Sequence, residues 1–178
     1  MKYIALLRGI NVGGNNKVSM AELKICFESL GFKGVKTYIN SGNIIFKFKK
    51  TNKVELVAMC EEAINNQFGF HIICSVITAD DLKNAWLKRP KWWGEDGESK
   101  HNAIFVIAPI TAKQISQSIG EAKPEYEKVA AVEPIIFWSA PIKTFGRTRY
   151  SKIVGGKFYK SITIRNDRTT KKLLELSQ

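Results

Sequence analysis

The chain is short of the residues that most chemistry needs. Its 178 residues include two histidines, three cysteines and 16 acidic residues against 28 basic ones. Cys26, Cys60 and Cys74 lie inside apolar segments, form no CxxC pair and are odd in number. They read as small core hydrophobes in a reducing compartment, which excludes a disulfide framework and a cysteine zinc site. His71 opens an apolar strand and His101 sits in a polar loop beside Lys100. Neither has a second ligand at metal spacing, so no metal is expected. No GxSxG elbow occurs, and no histidine is placed to activate Ser41. No apolar run is long enough to span a membrane, and the N-terminal run has no small-residue cleavage site. A soluble, cytoplasmic protein with no membrane partner and no cofactor is expected.

The shortage of acid leaves a net charge of +12. Residues 1–95 and 96–178 carry +6 each, but residues 143–172 hold ten Lys or Arg and a single acid, Asp167. Such a segment is either a solvated surface or a flank that faces an anion, and nucleic acid is one such partner.

The apolar content is ordinary, 44% of residues, and its periodicity is informative. "KYIALL" (2–7) reads as a buried strand and "VKTYI" (35–39) as a second. "NSGN" is a turn, and "IIFKF" (44–48) is the returning strand. Ser19 with Glu22 opens a helix that Gly31 ends, and Asn52 with Glu55 opens another. "IICSVI" (72–77) completes a β-α-β-β-α-β order, the split pattern of a ferredoxin-like sheet. Thr78 with Asp81 starts a further helix. The Gly- and Pro-broken stretch 89–102 suggests a boundary, giving halves 1–95 and 96–178. In the second half, "AIFVIA" (103–108) is a strand, Thr111 with Gln114 caps a helix, and 126–140 forms a hairpin. A basic, partly helical stretch follows, then "SITI" (161–164) and a last helix capped by Asn166 or Asp167. The fold class is α+β, two ferredoxin-like-related halves packed as one compact unit.

The loop after the first strand, "RGINVGGNNKVS", joins a strand to a helix start, where main-chain amides and the helix dipole favour an anion. It is not a Walker loop: Asn15 and Asn16 stand where Lys and Ser/Thr are required, and Lys17 comes two positions late. Gly9, Gly13 and Gly14 either supply positive φ angles alone or bring amides to a ligand. Asn11 either makes an Asx turn or orients a polar group. Arg8 ends the strand and must find water, a carboxylate or a ligand. A similar junction occurs at "TIRNDRTT", with Thr163, Arg165, Asn166 and Thr169, where simple capping by Asn166 is the alternative. Ser41 and Asn43, in "YINSGN", form a third polar segment.

"LLRGINVGGNNKVSMAEL", "LGFKGVKTYINSGNIIF" and "TIRNDRTTKKLLEL" together resemble the bacterial family catalogued as domain of unknown function 1697, over essentially the whole chain. The resemblance implies a compact α+β protein with two ferredoxin-related halves, and no established activity, cofactor or partner. The family's motif falls on Arg8, Gly9, Asn11, Gly13 and Gly14, on Ser41, Gly42 and Asn43, and on Thr163, Arg165, Asn166 and Thr169. Its usual aromatic after the late Arg-Asn pair is Asp167 here, which argues against stacking there and lowers the local positive charge.

Three functions follow. The first is binding of a small phosphate- or carboxylate-bearing ligand by Arg8, Gly9, Gly13, Gly14, Lys17 and Arg165, with Asn11, Ser41, Asn43, Thr163, Asn166 and Thr169 orienting it. This requires the three segments to meet in one electropositive hollow. The second is nucleic-acid binding through residues 143–172, and the third is a protein-interaction or regulatory role. No catalytic group is identifiable.

Overall fold

The structure, a computed structural model, describes residues 1–14 and 16–178. The chain divides into two compact units: Met1–Leu82 with Leu173–Gln178, and Lys83–Lys172.

In the first unit the order is β1 (Lys2–Arg8), α1 (Met20–Ser29), β2 (Lys33–Tyr38), β3 (Asn43–Lys47), α2 (Lys53–Phe68) and β4 (Ile73–Thr78). The sheet order is β2-β3-β1-β4, antiparallel throughout. This is the expected ferredoxin-like arrangement: each crossover helix joins two strands separated by a third. Tyr3, Ala5 and Leu7 of β1 and Phe46 of β3 meet Leu23 and Phe27 of α1 and Leu56, Cys60 and Ile64 of α2 in one core. Phe46 stacks on Phe32 with ring centroids 4.2 Å apart, and Phe27 meets it edge-on at 5.8 Å. Each buried ring of this kind contributes about 3 kcal/mol of transfer free energy. All three cysteines are buried thiols, and burial, then the neighbouring Cys60, pushes the Cys26 thiol up from its ordinary value. They are inert packing residues.

Helices α1 and α2 start at the expected caps, but, among the described residues, without the reciprocal bonds from Glu22 and Glu55 that complete boxes would have. Asn52 accepts from the Val54 amide at 2.8 Å, and Gly69 ends α2 at φ +78°. Ser19 accepts from the Glu22 amide at a long 3.5 Å. Thr78 and Asp81 exchange bonds of 2.8 and 3.0 Å at the start of α3 (Ala79–Leu87). Lys53 joins Asp81 at 2.6 Å. Burial raises the Asp81 carboxyl, but the bonds from Lys53 and Thr78 outweigh it and hold the group below the usual carboxylate range.

In the second unit β5 (Ser99–Val106), α4 (Ala112–Ile119), β6 (Lys128–Val132), β7 (Ile135–Pro141) and β8 (Ile162–Asn166) form a sheet of order β6-β7-β5-β8, again antiparallel. The plan repeats that of the first unit, with three short 3-10 turns (Ile142–Arg147, Tyr150–Ile153, Tyr159–Ser161) replacing its second helix. Thr111 and Gln114 form a full capping box on α4. α5 spans Asp167–Ser177.

The structure differs from expectation at three points. β5 begins at Ser99, four residues before the expected strand, so His101 is a strand residue and not a loop residue. Its ring nitrogens find partners locally: Nδ1 lies 2.6 Å from Ser139 Oγ, Nε2 lies 2.8 Å from the Asp96 carbonyl, and the ring is buried. Asn43 belongs to β3 and is fully buried, where turn chemistry predicts an open turn. The unit limit falls at Leu82, ahead of the residue 95 limit that composition suggests. Trp93 accounts for this: it is 2% exposed, donates to the Asn102 carbonyl at 3.0 Å and packs on Phe137 at 4.9 Å, all within the second unit.

Candidate functional site

Two of the three motif segments meet in the first unit. Loop 9–18 is anchored at both ends by buried apolar residues, Ile10 (1% exposed) and Val18 (6% exposed). Asn11 closes it like a staple. Its Oδ1 accepts from the Val18 amide at 2.8 Å, and its Nδ2 donates to the carbonyls of Val18 at 2.9 Å and Asn40 at 3.0 Å. Asn16 adds a bond from Nδ2 to the Gly9 carbonyl at 3.1 Å, and the Asn11 amide donates to the Asn16 carbonyl at 3.1 Å. Asn15 lies outside the described residues. The loop is therefore held by its own side chains.

Turn 39–42 supports this loop from beneath. The Leu7 amide donates to the Gly42 carbonyl at 2.8 Å, and Asn43 Nδ2 donates to the Tyr38 carbonyl at 3.0 Å and Ser41 Oγ at 3.1 Å. Gly42 has φ +74°, and a Cβ there would stand 2.7 Å from both Leu7 Cβ and Ile10 Cδ1. Only glycine lets the turn approach this closely. Ile39 has φ +47° and is 47% exposed, an uncommon conformation for a β-branched residue. Nothing in the sequence marks it.

Above this frame is a hollow of about 560 Å³. Gly14, Lys17, Ser19, Met20, Ala21 and Asn40 are among its lining residues, and none of the lining residues is an acid. The first turn of α1 opens into it. Among the described residues, no acceptor engages the amides of Gly13, Gly14, Met20 or Ala21. Gly9, Gly13 and Gly14 all have positive φ. Lys17 is exposed at the rim, and Arg8 is half-buried at the end of β1, opposite Ile73. Asn11 and Asn43 are occupied with the frame and do not face a ligand with free groups.

The third segment lies in the second unit, at the junction of β8 and α5. Asn166 Oδ1 caps α5 by accepting from the Thr169 amide at 2.8 Å. Arg165 is 8% exposed, and its Nη1 donates to Thr163 Oγ1 at 2.8 Å and the Ile164 carbonyl at 2.9 Å. Thr163 and Thr169 are buried. No group of three or more His, Cys, Asp or Glu side chains suited to a metal occurs among the described residues. No helix among them is long and apolar enough to cross a membrane.

The family model described as protein of unknown function, DUF1697, matches residues 1–137. No curated protein matches the chain. Among solved structures it is similar to "conserved bacterial protein SP0830 from Streptococcus pneumoniae", at 31% sequence identity and a TM-score of 0.87. That alignment covers 99% of this chain and 98% of the other. The matched residues include the loop and the turn and end before the late strand-to-helix junction, and the chain belongs to the DUF1697 family.

Proposed function

We propose that the first unit binds a small anionic ligand, phosphate- or carboxylate-bearing, on the amide face of loop 9–18. One observation carries this: an acid-free hollow in which unengaged amides, a helix N-terminus and Lys17 occur together on a pre-formed frame. The Gly13 and Gly14 amides and the first turn of α1 donate, Lys17 supplies charge, and Gly9 and Arg8 shape the entry. Asn11, Ser41 and Asn43 position these groups through the frame. No histidine, cysteine or carboxylate lines the hollow, so the reading is binding and includes no proton transfer.

Two amide bonds to an anion contribute about 1.5–3 kcal/mol each, and the helix end adds about 0.3–1. Against the cost of immobilising a ligand, this supports a Kd on the order of 1 mM for a bare oxyanion. The test is titration of ¹⁵N-labelled protein with inorganic phosphate. The amides of Gly13, Gly14, Met20 and Ala21 should shift together and saturate, and Lys17→Ala should weaken the effect several-fold. Unmoved amides, or a Lys17→Ala variant that titrates like wild type, refute the reading.

Stacking of RNA bases on the sheet of the first unit has less support. Tyr3 and Phe46 stack on each other at 5.6 Å within the core instead of facing out.

A further inference from the structure

The second unit holds a cavity that none of the motif segments lines. It measures about 370 Å³ and lies between α4 and the stretch 149–158. Ile115, Ile119, Ile153 and Phe158 give it apolar walls. Lys123, Arg149, Lys152 and Lys157 stand around it, and no acidic side chain lines it.

Four cations around one small space repel one another, and a surface with only a structural role would interleave them with carboxylates. Here Arg149, Lys152 and Lys157 are exposed and form no ion pair among the described residues. Lys123 donates to a neutral acceptor, the Arg147 carbonyl, at 3.1 Å. A carboxylate does lie within this part of the fold, that of Glu127, 3% exposed. Its oxygens accept from the main-chain amides of Lys123 at 3.1 Å, Arg149 at 2.8 Å and Tyr150 at 3.1 Å. Glu127 therefore ties together the two chain segments that carry Lys123 and Arg149 through their backbones. Arg149 also packs against Gly120, where a Cβ would stand 2.9 Å from its Nη1.

We propose that this cavity binds a phosphorylated small molecule whose remaining part is apolar or aromatic, of about mononucleotide size. Converging Lys and Arg side chains recognise phosphate oxygens. The isoleucines and Phe158 desolvate the rest of the ligand. The volume falls in the lower part of the range of about 300–1,000 Å³ that small-molecule sites occupy. A nucleic-acid backbone would meet only the rim and leave the apolar walls unused. This site shares no residue with loop 9–18 and is tested separately.

The experiment compares phenyl phosphate, inorganic phosphate and a single-stranded oligothymidylate by calorimetry on the full chain. Wild type should bind phenyl phosphate about tenfold more tightly than inorganic phosphate. Arg149→Ala with Lys157→Ala should remove the tighter phenyl phosphate binding and leave only the weak binding of loop 9–18, and Phe158→Ala should bring phenyl phosphate down to the level of phosphate. Lys143→Ala, outside the cavity, should leave phenyl phosphate binding unchanged. Lys152→Gln, at an exposed position, gives an independent check: without ligand its melting temperature should equal or exceed that of wild type, while phenyl phosphate stabilises it less. Equal affinity for the two phosphates overturns the proposal. So does phenyl phosphate binding as tight as wild type in the double variant, stabilisation of Lys152→Gln as large as that of wild type, or oligothymidylate binding without phenyl phosphate binding.

Discussion

Gly42→Ala is the substitution that best tests the frame beneath loop 9–18. Two costs add at this position. Forcing a Cβ residue to φ +74° costs about 1–2 kcal/mol. The new methyl also stands 2.7 Å from Ile10 Cδ1 and from Leu7 Cβ. The first is the far end of a side chain and can turn away. The second is fixed to a central strand, so the turn itself must move, and overpacking of that kind costs about 1–3 kcal/mol. The total is about 2–5 kcal/mol. Gly13→Ala is the matched control, because Gly13 has φ +61° but nothing lies within 4 Å of where its new methyl would stand. It should lose only the conformational part, about 1–2 kcal/mol. Urea denaturation of both variants measures the difference. Separation of the turn from β1 should also speed hydrogen exchange at Leu7, whose amide donates to Gly42. If Gly42→Ala is no less stable than Gly13→Ala, the close approach does not hold the loop and the account of the frame is wrong.

Further expectations follow from the same bonds. Asn11→Ala removes three hydrogen bonds and should cost about 2–4 kcal/mol; urea melts and faster exchange of the Val18 amide would show it. Glu127→Gln keeps the shape but replaces a charged acceptor of three amides, for a loss of about 2 kcal/mol in chemical denaturation. The Asp81 carboxyl is held below its unfolded value, so its contribution is present above pH of about 4 and is lost as pH falls through the folded value. With the Lys53 side chain 40% exposed, the pair is worth no more than about 1 kcal/mol. Denaturation of wild type and Asp81→Asn should therefore differ near neutrality and converge in acid.

The first unit is legible in the sequence because its signals are local. Asn52, Gly31, and Thr78 with Asp81 each act within a few residues, and alternation or apolar runs mark β1 to β4. The start of β5 is hidden because its first residues are polar. "SKHN" has the composition of a loop until Ser139 and the Asp96 carbonyl, 38 and five residues away, supply partners for His101. Asn43 is hidden for the same reason: Asn-Ser-Gly-Asn is turn chemistry, and pairing with Leu6 and Tyr38 together with side-chain bonds to Tyr38 and Ser41 makes a buried strand residue of it. At the candidate site the glycines and asparagines are readable as loop formers, since both tolerate positive φ. The division of labour among them is not. That Asn11 serves Val18 and Asn40 depends on a 29-residue separation that no spacing rule encodes. The basic charge of 143–172 is visible, but Lys123 lies outside that run and joins it through Glu127 and through its own bond to the Arg147 carbonyl.

The two units follow one strand order, and their difference is instructive. In the first, α1 packs against the sixteen-residue α2 over one face of the sheet. In the second, α4 has no such partner, because the segment between β7 and β8 forms 3-10 turns and irregular chain. A 3-10 turn offers a poorer hydrogen-bond ladder and no continuous apolar stripe, so it covers a neighbouring helix less completely. The cavity of the second unit lies where the topology leaves this cover incomplete, between α4 and residues 149–158. The sequence reinforces the opening. A segment meant to pack on α4 would carry apolar residues at helical spacing. This one carries Arg149, Lys152 and Lys157, the paired Gly155 and Gly156, and only Tyr150, Ile153 and Phe158 as apolar anchors. Glycine and like charges both work against a helix here. Restoring helix propensity alone, by Gly155→Ala with Gly156→Ala, therefore tests whether the opening is only an unfinished helix. If the cations keep it open, circular dichroism should show no gain in helix until Lys152 and Lys157 are also neutralised. A gain from the glycine replacements alone would show that backbone freedom, and not charge, keeps the second helix from forming.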